Sequence, residues 1–170
     1  MFLTLFSAFA VSVGLAAADD PGSDVALDQE TIEALSMLDR DPEEFALNTR
    51  CLPSYQRIRQ RARLSDPVYD ARFAWANLTG RDTSVLVEFR RHCDAVRFGQ
   101  PPIPRCSGPA EFGSAPMCIV EELYIVPDEA HARSLALRIL IDEARARGAE
   151  LPASNADAAQ ALIDQSNSSR

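Results

Sequence analysis

The sequence predicts an α+β protein: a small antiparallel β-sheet or partly open barrel, flanked by N- and C-terminal helices and stapled by disulfides. Three observations predict this class. A short segment with apolar residues at helical spacing comes first, four segments with strand-like alternation follow, and a long helical pattern ends the chain. The four cysteines lie in or beside the strand segments. With 170 residues, the chain can form one modest domain with extensions but not two well-buried domains.

The first 18 residues have the pattern of a secretory signal peptide. An apolar run from Phe2 to Leu15 ends in Ala16-Ala17-Ala18, an A-x-A cleavage pattern that acidic residues follow. No basic residue precedes the run, and its length is at the short edge of the roughly 17–25 residues that a membrane span needs. We therefore predict cleavage after Ala18, export to the periplasm or the extracellular space, and no membrane span in the mature chain. A retained membrane anchor is the alternative.

Charge divides the remaining chain into an acidic helical arm (19–48), a β core (49–126) and a C-terminal helical extension (127–170). The arm has ten acids and one arginine, whereas residues 49–110 have eleven arginines and five acids. Two short helices are predicted in the arm, the second with Asp41 as its N-cap. The net charge of -8 argues against wholesale nucleic-acid binding, and the absence of lysine excludes Schiff-base chemistry.

Strand-like alternation predicts four strands in the β core. In the first strand, Ile58, Ala62 and Leu64 share one face and arginines occupy the other. Glycines and prolines in the region 98–116 argue against a regular element there. The four predicted strands are residues 51–64, 71–78, 83–91 and 117–126.

Two helices are predicted in the C-terminal extension. Pro127-Asp128 begins the long helix and Gly148 ends it. Ser154 is the expected N-cap of a short final helix, and the last five residues of the chain look frayed.

We predict that Cys51, Cys93, Cys106 and Cys118 form two disulfides. Thiols tend to pair outside the cytoplasm, and four cysteines allow three connectivities. Cys93 ends the third strand and Cys118 begins the fourth, two ends that meet in an antiparallel pair, so Cys93–Cys118 with Cys51–Cys106 is the preferred pairing. A metal site and a reactive cysteine are the alternatives, although the chain has no C-x-x-C pair and only His92 adjoins a cysteine.

The arginines of the first strand are the candidate contact surface. On an unbroken strand, Arg57, Arg59, Arg61 and Arg63 would line about 20 Å of one face. Such a row could hold an anionic polymer, a phosphate or the acidic surface of a partner. The alternative is a solvated face whose arginines pair with neighbouring carboxylates, and the acidic arm could lie on it.

Glu121 and Glu122 are the candidate acid–base residues. Both lie among apolar residues of the fourth strand, and a desolvated carboxylate has a raised pKa. The alternative is a structural partner of an arginine. The sequence contains no serine-elbow, zinc-protease, phosphate-loop or dinucleotide motif, and His92 and His131 lie in different elements. We therefore assign no catalytic residue, cofactor or metal.

Three segments of the chain resemble an uncharacterised family of small exported proteobacterial proteins that carry a domain of unknown function. They are CLPSYQRIR from Cys51, VLVEFRRHC with AVRFG behind it, and CIVEELYIV from Cys118. The chain departs from the family pattern in DAV after Cys93, where a Pro-Gly-Leu turn is common, and in the additional Cys106. The resemblance covers residues 51–126 and implies export and a β-rich core. It implies no activity.

These features predict a non-enzymatic exported envelope protein with a binding or accessory role through the arginine-lined strand face. The sequence does not identify the anionic ligand or protein partner, and the acidic arm could gate the site. One alternative is a small hydrolase or lyase that uses Glu121 or Glu122 with an arginine. Another is an inhibitor-type interaction protein that presents the loop 98–116.

Overall fold

The computed structural model describes residues 29–53, 55–80, 83–97, 103–104, 106 and 118–169. The predicted signal peptide and most of the loop 98–116 lie outside the described residues. Helix α1 (Gln29–Ser36) comes first, followed by two 3-10 turns, Met37–Asp39 and Pro42–Phe45. The next elements are strand β1 (Ile58–Arg63), a 3-10 turn (Pro67–Tyr69), strands β2 (Phe73–Leu78) and β3 (Ser84–Phe89), helix α2 (Asp94–Arg97), strand β4 (Val120–Val126) and helices α3 (Glu129–Ala146) and α4 (Asn155–Ser168).

The four strands form an open antiparallel sheet in the order β1-β2-β3-β4. The predicted α+β class is therefore confirmed, and the sheet is open rather than a barrel. Strands β1 and β4 form the two edges of the sheet. The arm extends the sheet beyond β4, because Ala46 bridges to Tyr124 and the amide of Leu47 donates to the carbonyl of Leu123 at 2.7 Å.

Both faces of the sheet carry a core, and all six residues of β3 are buried. Helix α3 and the arm cover the first face, whereas the cysteine-bearing segments cover the second. The first core includes Met37, Phe73, Trp75, Leu86, Tyr124, Leu135 and Ile139. The second core includes Leu52, Ala74, Val85, Val87, Phe89, Cys93, Val96, Ile103 and Leu123.

A β-bulge interrupts β1. Ile58 pairs with Leu78, but the next registered pair is Gln60 with Asn77, so Arg59 is the extra residue of the bulge. Since an extra residue reverses the alternation of faces, Ile58 packs against the second core, although Ala62 packs against the first. The prediction that both residues share one face is therefore wrong.

A second bulge lies in β4, at the other edge of the sheet. Glu88 pairs with Glu122, but Phe89 pairs with Val120, which leaves Glu121 as the extra residue. Val120 consequently joins the second core. In both edge strands, the bulge thus interrupts the alternation of side chains between the two faces of the sheet. Both interruptions lie in the segments that contain the candidate functional residues.

The predicted start and end of the long helix are confirmed. Asp128 caps α3 by accepting from the amide of His131 at 3.0 Å, and Gly148 follows the helix with φ +81°. The end of the chain is more regular than expected, because α4 continues to Ser168. The second predicted arm helix is only a 3-10 turn, capped by Asp41. In the described part of the chain, no helix has the length and apolar content that a membrane crossing requires.

The cysteines form the two disulfides that the sequence analysis preferred. Cys51 pairs with Cys106 and Cys93 with Cys118, and the Cα atoms are 5.1 Å apart in both pairs. Around the first disulfide, the amide of Leu52 donates to Pro104 and the amide of Cys106 donates to Leu52, both at 2.8 Å. The disulfides therefore fasten irregular chain over the face of the sheet that lacks a long helix. Among the described residues, no group of side chains could hold a metal ion.

Each disulfide is expected to make a large contribution to stability. The bonds close segments with sequence separations of 55 and 25 residues. Loop-closure entropy then gives about 4 kcal/mol for Cys51–Cys106 and about 3.5 kcal/mol for Cys93–Cys118. We expect the paired alanine variants Cys51→Ala/Cys106→Ala and Cys93→Ala/Cys118→Ala to lose free energy of unfolding of this order in urea denaturation. A loss below about 1 kcal/mol for both variants would contradict the role of the disulfides as staples.

Candidate functional site

The four arginines at the start of the sheet form a basic surface. We call Arg57, Arg59, Arg61 and Arg63 the basic edge. All four residues are exposed, and they lie in or directly before the edge strand β1. The sequence from 45 to 65 contains five arginines and no acidic residue.

The basic edge is not the single row that the sequence predicted. Arg61 pairs with Ala76 and Arg63 with Ala74, two alanines of the second core, so these two arginines lie on that face of the sheet. Arg59 is the bulge residue and Arg57 precedes the strand, so neither continues the alternation. The prediction of one continuous 20 Å row is wrong because the bulge breaks the two-residue period.

The acidic arm does not cover the basic edge in residues 29–48. The arm runs along the opposite edge of the sheet, where Ala46 bridges to Tyr124. It is also tied to α3, because Nη1 of Arg138 donates to the carbonyl of Leu38 at 2.9 Å. The hypothesis that the arm lies on the arginines is therefore wrong for this part of the chain.

A shallow cleft opens at the end of the β1–β2 pair, next to the basic edge. It has a volume of about 280 Å³ and is lined by Tyr55, Gln56, Arg57, Thr79 and Gly80. The Tyr55 side chain is 80% exposed. The cleft therefore combines a cation, a hydroxyl group and an accessible aromatic ring.

Glu121 is the partner of an arginine, as one of the two interpretations of the sequence expected, and not a desolvated acid–base residue. The bulge leaves its side chain 41% exposed, and its Oε2 accepts from Nε of Arg90 at 2.6 Å. Arg90 lowers the pKa of Glu121. Glu122 is half-buried, and its Oε1 accepts from the amide of Leu123 at 3.1 Å. Neither residue lines the clefts described here.

The buried carboxylate of the sheet is Glu88 in β3, which sequence reasoning missed. The residue is only 5% exposed and lies on the face that α3 covers. Its Oε2 accepts from the Tyr124 hydroxyl at 2.7 Å, and its Oε1 accepts from Nη2 of Arg72 at 3.0 Å. Arg72 also donates to both carboxylate oxygens of Glu143 in α3, at 2.6 and 2.8 Å. One guanidinium thus connects the sheet to the helix.

The environment of this cluster shifts its pKa values in opposite directions. Burial raises the pKa of Glu88, against the lowering effect of Tyr124 and Arg72. Burial and then the charge of Glu88 raise the pKa of Tyr124. The Arg72 hydrogen bonds lower the pKa of Glu143. Since none of these residues lines the described clefts, we interpret the cluster as structural.

A larger cleft of about 360 Å³ lies at the other end of β1, with Arg63, Asp66, Asp70 and His92 in its lining. His92 lies 2.9 Å through Nδ1 from the carbonyl oxygen of Asp70 and 3.1 Å through Nε2 from a carboxylate oxygen of Asp94. Asp94 and Asp70 raise the pKa of His92. Because both ring nitrogens have partners, His92 has no free nitrogen for proton abstraction and instead holds the turn in place.

The turn that His92 holds has an unusual backbone. Asp70 and Ala71 are consecutive non-glycine residues in the left-handed region, with φ +44° and +53°. The carbonyl of Ala71 accepts from the amide of Cys93 at 3.2 Å, so the disulfide-bonded Cys93 also supports this conformation. His131 is buried and contacts the Asp128 carboxylate at the start of α3, far along the chain from His92.

Only three residues of the loop 98–116 are described. Ile103 is buried in the second core, Pro104 accepts from the amide of Leu52, and Cys106 is disulfide-bonded. This part of the loop is therefore fixed to the domain, while the other residues that an inhibitor would present lie outside the described part of the chain.

Comparisons of the chain with protein-family models, with curated proteins and with solved structures find no match in any of the three.

The variants Glu88→Gln and Glu143→Gln are expected to change the pH dependence of stability in opposite directions. The raised pKa of Glu88 means that its ionisation reduces stability as the pH rises above its unfolded value of about 4.3, and Glu88→Gln removes that reduction. The lowered pKa of Glu143 gives stability that is present above the unfolded pKa and is lost as the pH falls, and Glu143→Gln removes it.

Urea denaturation between about pH 4 and pH 7 measures both effects. Relative to the unmodified protein, we expect Glu88→Gln to gain stability and Glu143→Gln to lose stability as the pH rises. The same sign of change for both variants would contradict the assignment of the buried and the paired carboxylate.

Proposed function

We propose that this protein is a non-enzymatic, exported protein of the cell envelope that binds an acidic partner protein through the basic edge. The observation that carries the proposal is the position of four exposed arginines on an edge strand, in a 21-residue sequence without an acid. A surface of this kind attracts negative charge and guides an acidic partner to the site.

The separation of charge in the fold supports the proposal. The chain has a net charge of -8, and yet the arginines gather at β1 while the described part of the acidic arm lies beside β4. Among the described residues, neither Arg57 nor Arg59 is in an ion pair. Their charge is therefore not neutralised by a described carboxylate in contact with them.

The surface of a protein partner suits the basic edge better than a charge row that follows one straight line. Arg61 and Arg63 lie on one face of the sheet. Because of the bulge, Arg57 and Arg59 do not continue the row of side chains on that face. The four arginines therefore do not form one row on one face, and a protein surface can present carboxylates on both sides of an edge. The exposed Tyr55 beside the arginines favours the same partner, since tyrosine and arginine are enriched in protein interfaces.

Two features support export. Both disulfides suit an oxidising compartment outside the cytosol, and residues 1–18 have the pattern of a cleaved signal peptide. The resemblance of residues 51–126 to small exported proteobacterial proteins agrees with this location.

The alternative of a small hydrolase or lyase has less support. It needs Glu121 or Glu122 in an accessible site, but Glu121 is paired with Arg90 and Glu122 with the main chain of the next residue. An inhibitor role for the loop 98–116 has no specific observation in its favour among the described residues.

Removing two charges from the basic edge is expected to weaken binding to an acidic peptide. We expect Arg57→Gln/Arg59→Gln to bind a fluorescein-labelled octaglutamate peptide about five- to tenfold more weakly in an anisotropy titration, because each exposed ion pair contributes up to about 1 kcal/mol. Added salt is expected to weaken binding to the unmodified protein more than to this variant.

The matched control is Arg40→Gln/Arg147→Gln, which removes two exposed arginines from the arm and from the end of α3. This control keeps the same net charge as the first variant and is expected to change the affinity by less than about twofold, since neither of its arginines lies in the basic edge or lines the cleft at the start of β1. Equal weakening of binding in both variants would mean that the affinity depends on net charge alone, and it would refute the basic edge as the site.

The mature protein is expected to begin at Asp19 and to contain no free thiol when it is purified from its native host. N-terminal sequencing, intact-mass measurement and thiol titration under denaturing conditions check this expectation. The control Ala18→Asp alters the small residue before the cleavage site and is expected to retain the leader. A native protein that begins at Met1, or that has four free thiols, would contradict export with cleavage.

A further inference from the structure

We infer that Tyr55 and Arg57 anchor the acidic partner. The cleft between these two residues and the end of β2 receives a carboxylate side chain of the partner, and this carboxylate is flanked by an apolar residue. The inference rests on the proposed function and specifies which part of the basic edge recognises the partner. It assigns Arg57 a different role from that of Arg59, which would contribute charge alone.

The walls of this cleft are held in place by the sheet. Tyr55 and Arg57 come directly before β1, and Thr79 and Gly80 come directly after β2. The amide of Thr79 donates to the carbonyl of Arg57 at 2.8 Å, which joins the two walls just beyond the last registered pair of the strands. The cleft is therefore preorganised, so that binding does not have to order its backbone.

The Tyr55 ring provides apolar surface that the protein leaves in water. Tyr55 is 80% exposed, compared with 56% for Ile119, 49% for Ile32 and 45% for Leu35, the other large exposed hydrophobic residues in the described part of the chain. Tyrosine is enriched among the residues that dominate binding energy in protein interfaces. An apolar side chain of the partner can bury this ring at a low entropic cost, because a tyrosine has only two side-chain torsions.

Arg57 and Thr79 provide the donors that a carboxylate needs. A guanidinium can donate two parallel hydrogen bonds to one carboxylate, and a threonine hydroxyl can add a third. Gly80 opens the floor of the cleft, because its φ of +79° favours glycine and no atom lies within 4 Å of the position that a Cβ would take. A partner backbone can therefore approach this turn closely.

Charge distinguishes this cleft from the larger cleft at the other end of β1. The lining of the larger cleft includes Asp66 and Asp70, which would repel a carboxylate. Among the described residues, the lining of the Tyr55–Arg57 cleft contains one arginine and no acid. An acidic side chain is therefore expected to enter the smaller cleft, although it has the smaller volume.

Two labelled octapeptides of equal charge test the inference: one alternates glutamate with leucine and the other alternates glutamate with serine. We expect the unmodified protein to bind the Glu-Leu peptide about tenfold more tightly in an anisotropy titration, a ratio that corresponds to about 1.4 kcal/mol. The variant Tyr55→Ser is expected to remove this preference.

Arg57→Gln is expected to weaken binding of both peptides several-fold more than the matched single variant Arg59→Gln. All three side chains are exposed, and far-UV circular dichroism verifies that each variant is folded.

The outcomes separate the inference from the proposed function. If the unmodified protein binds both peptides equally, if Tyr55→Ser changes nothing, or if Arg57→Gln and Arg59→Gln weaken binding equally, the anchor is refuted while the basic edge stands as a diffuse acidic-partner site. If neither peptide binds the unmodified protein more tightly than it binds Arg57→Gln/Arg59→Gln, the proposed function fails, and the inference fails with it.

Discussion

Burial of both faces of a four-stranded sheet is the constraint on which the rest of this fold depends. Strands β2 and β3 are buried on both sides, so each face must be covered. The longest helix of the described chain, α3, covers the first face together with the arm. The second face is covered by irregular segments, which the two disulfides fasten to the sheet. Covalent links thus take the place of a second helical layer.

The two edge strands are the strands that contain the bulges. An edge strand lacks a second full-length neighbour, so an extra residue at Arg59 or Glu121 disturbs one ladder and leaves the buried strands intact. Each bulge leaves a charged residue exposed at the edge of the sheet. The basic edge and the Arg90–Glu121 pair are both consequences of this geometry.

Charge inside the molecule is treated differently from charge at its edges. Glu88 is buried, and it is tolerated because Tyr124 and Arg72 satisfy both of its oxygens. A single glutamate in the apolar segment VLVEF was a signal of a buried charge, since acids are rarely buried without a partner. Its partners are 16 and 36 residues away in the sequence, so the pattern could not identify them.

Local patterns in the sequence determined the α+β class, the four strands and the caps of the long helix, because these features depend on short-range periodicity. The same patterns determined the preferred cysteine pairing, because it depends on which strand ends meet. The tertiary structure alone decided which side chains share a face. A bulge shifts the two-residue period by one, and nothing in the composition of β1 or β4 marks the residue at which this occurs. For the same reason, the prediction of a single arginine row was wrong, and Glu121 is not desolvated. The cleft between Tyr55 and Arg57 forms only where the tertiary structure brings the start of β1 next to the end of β2.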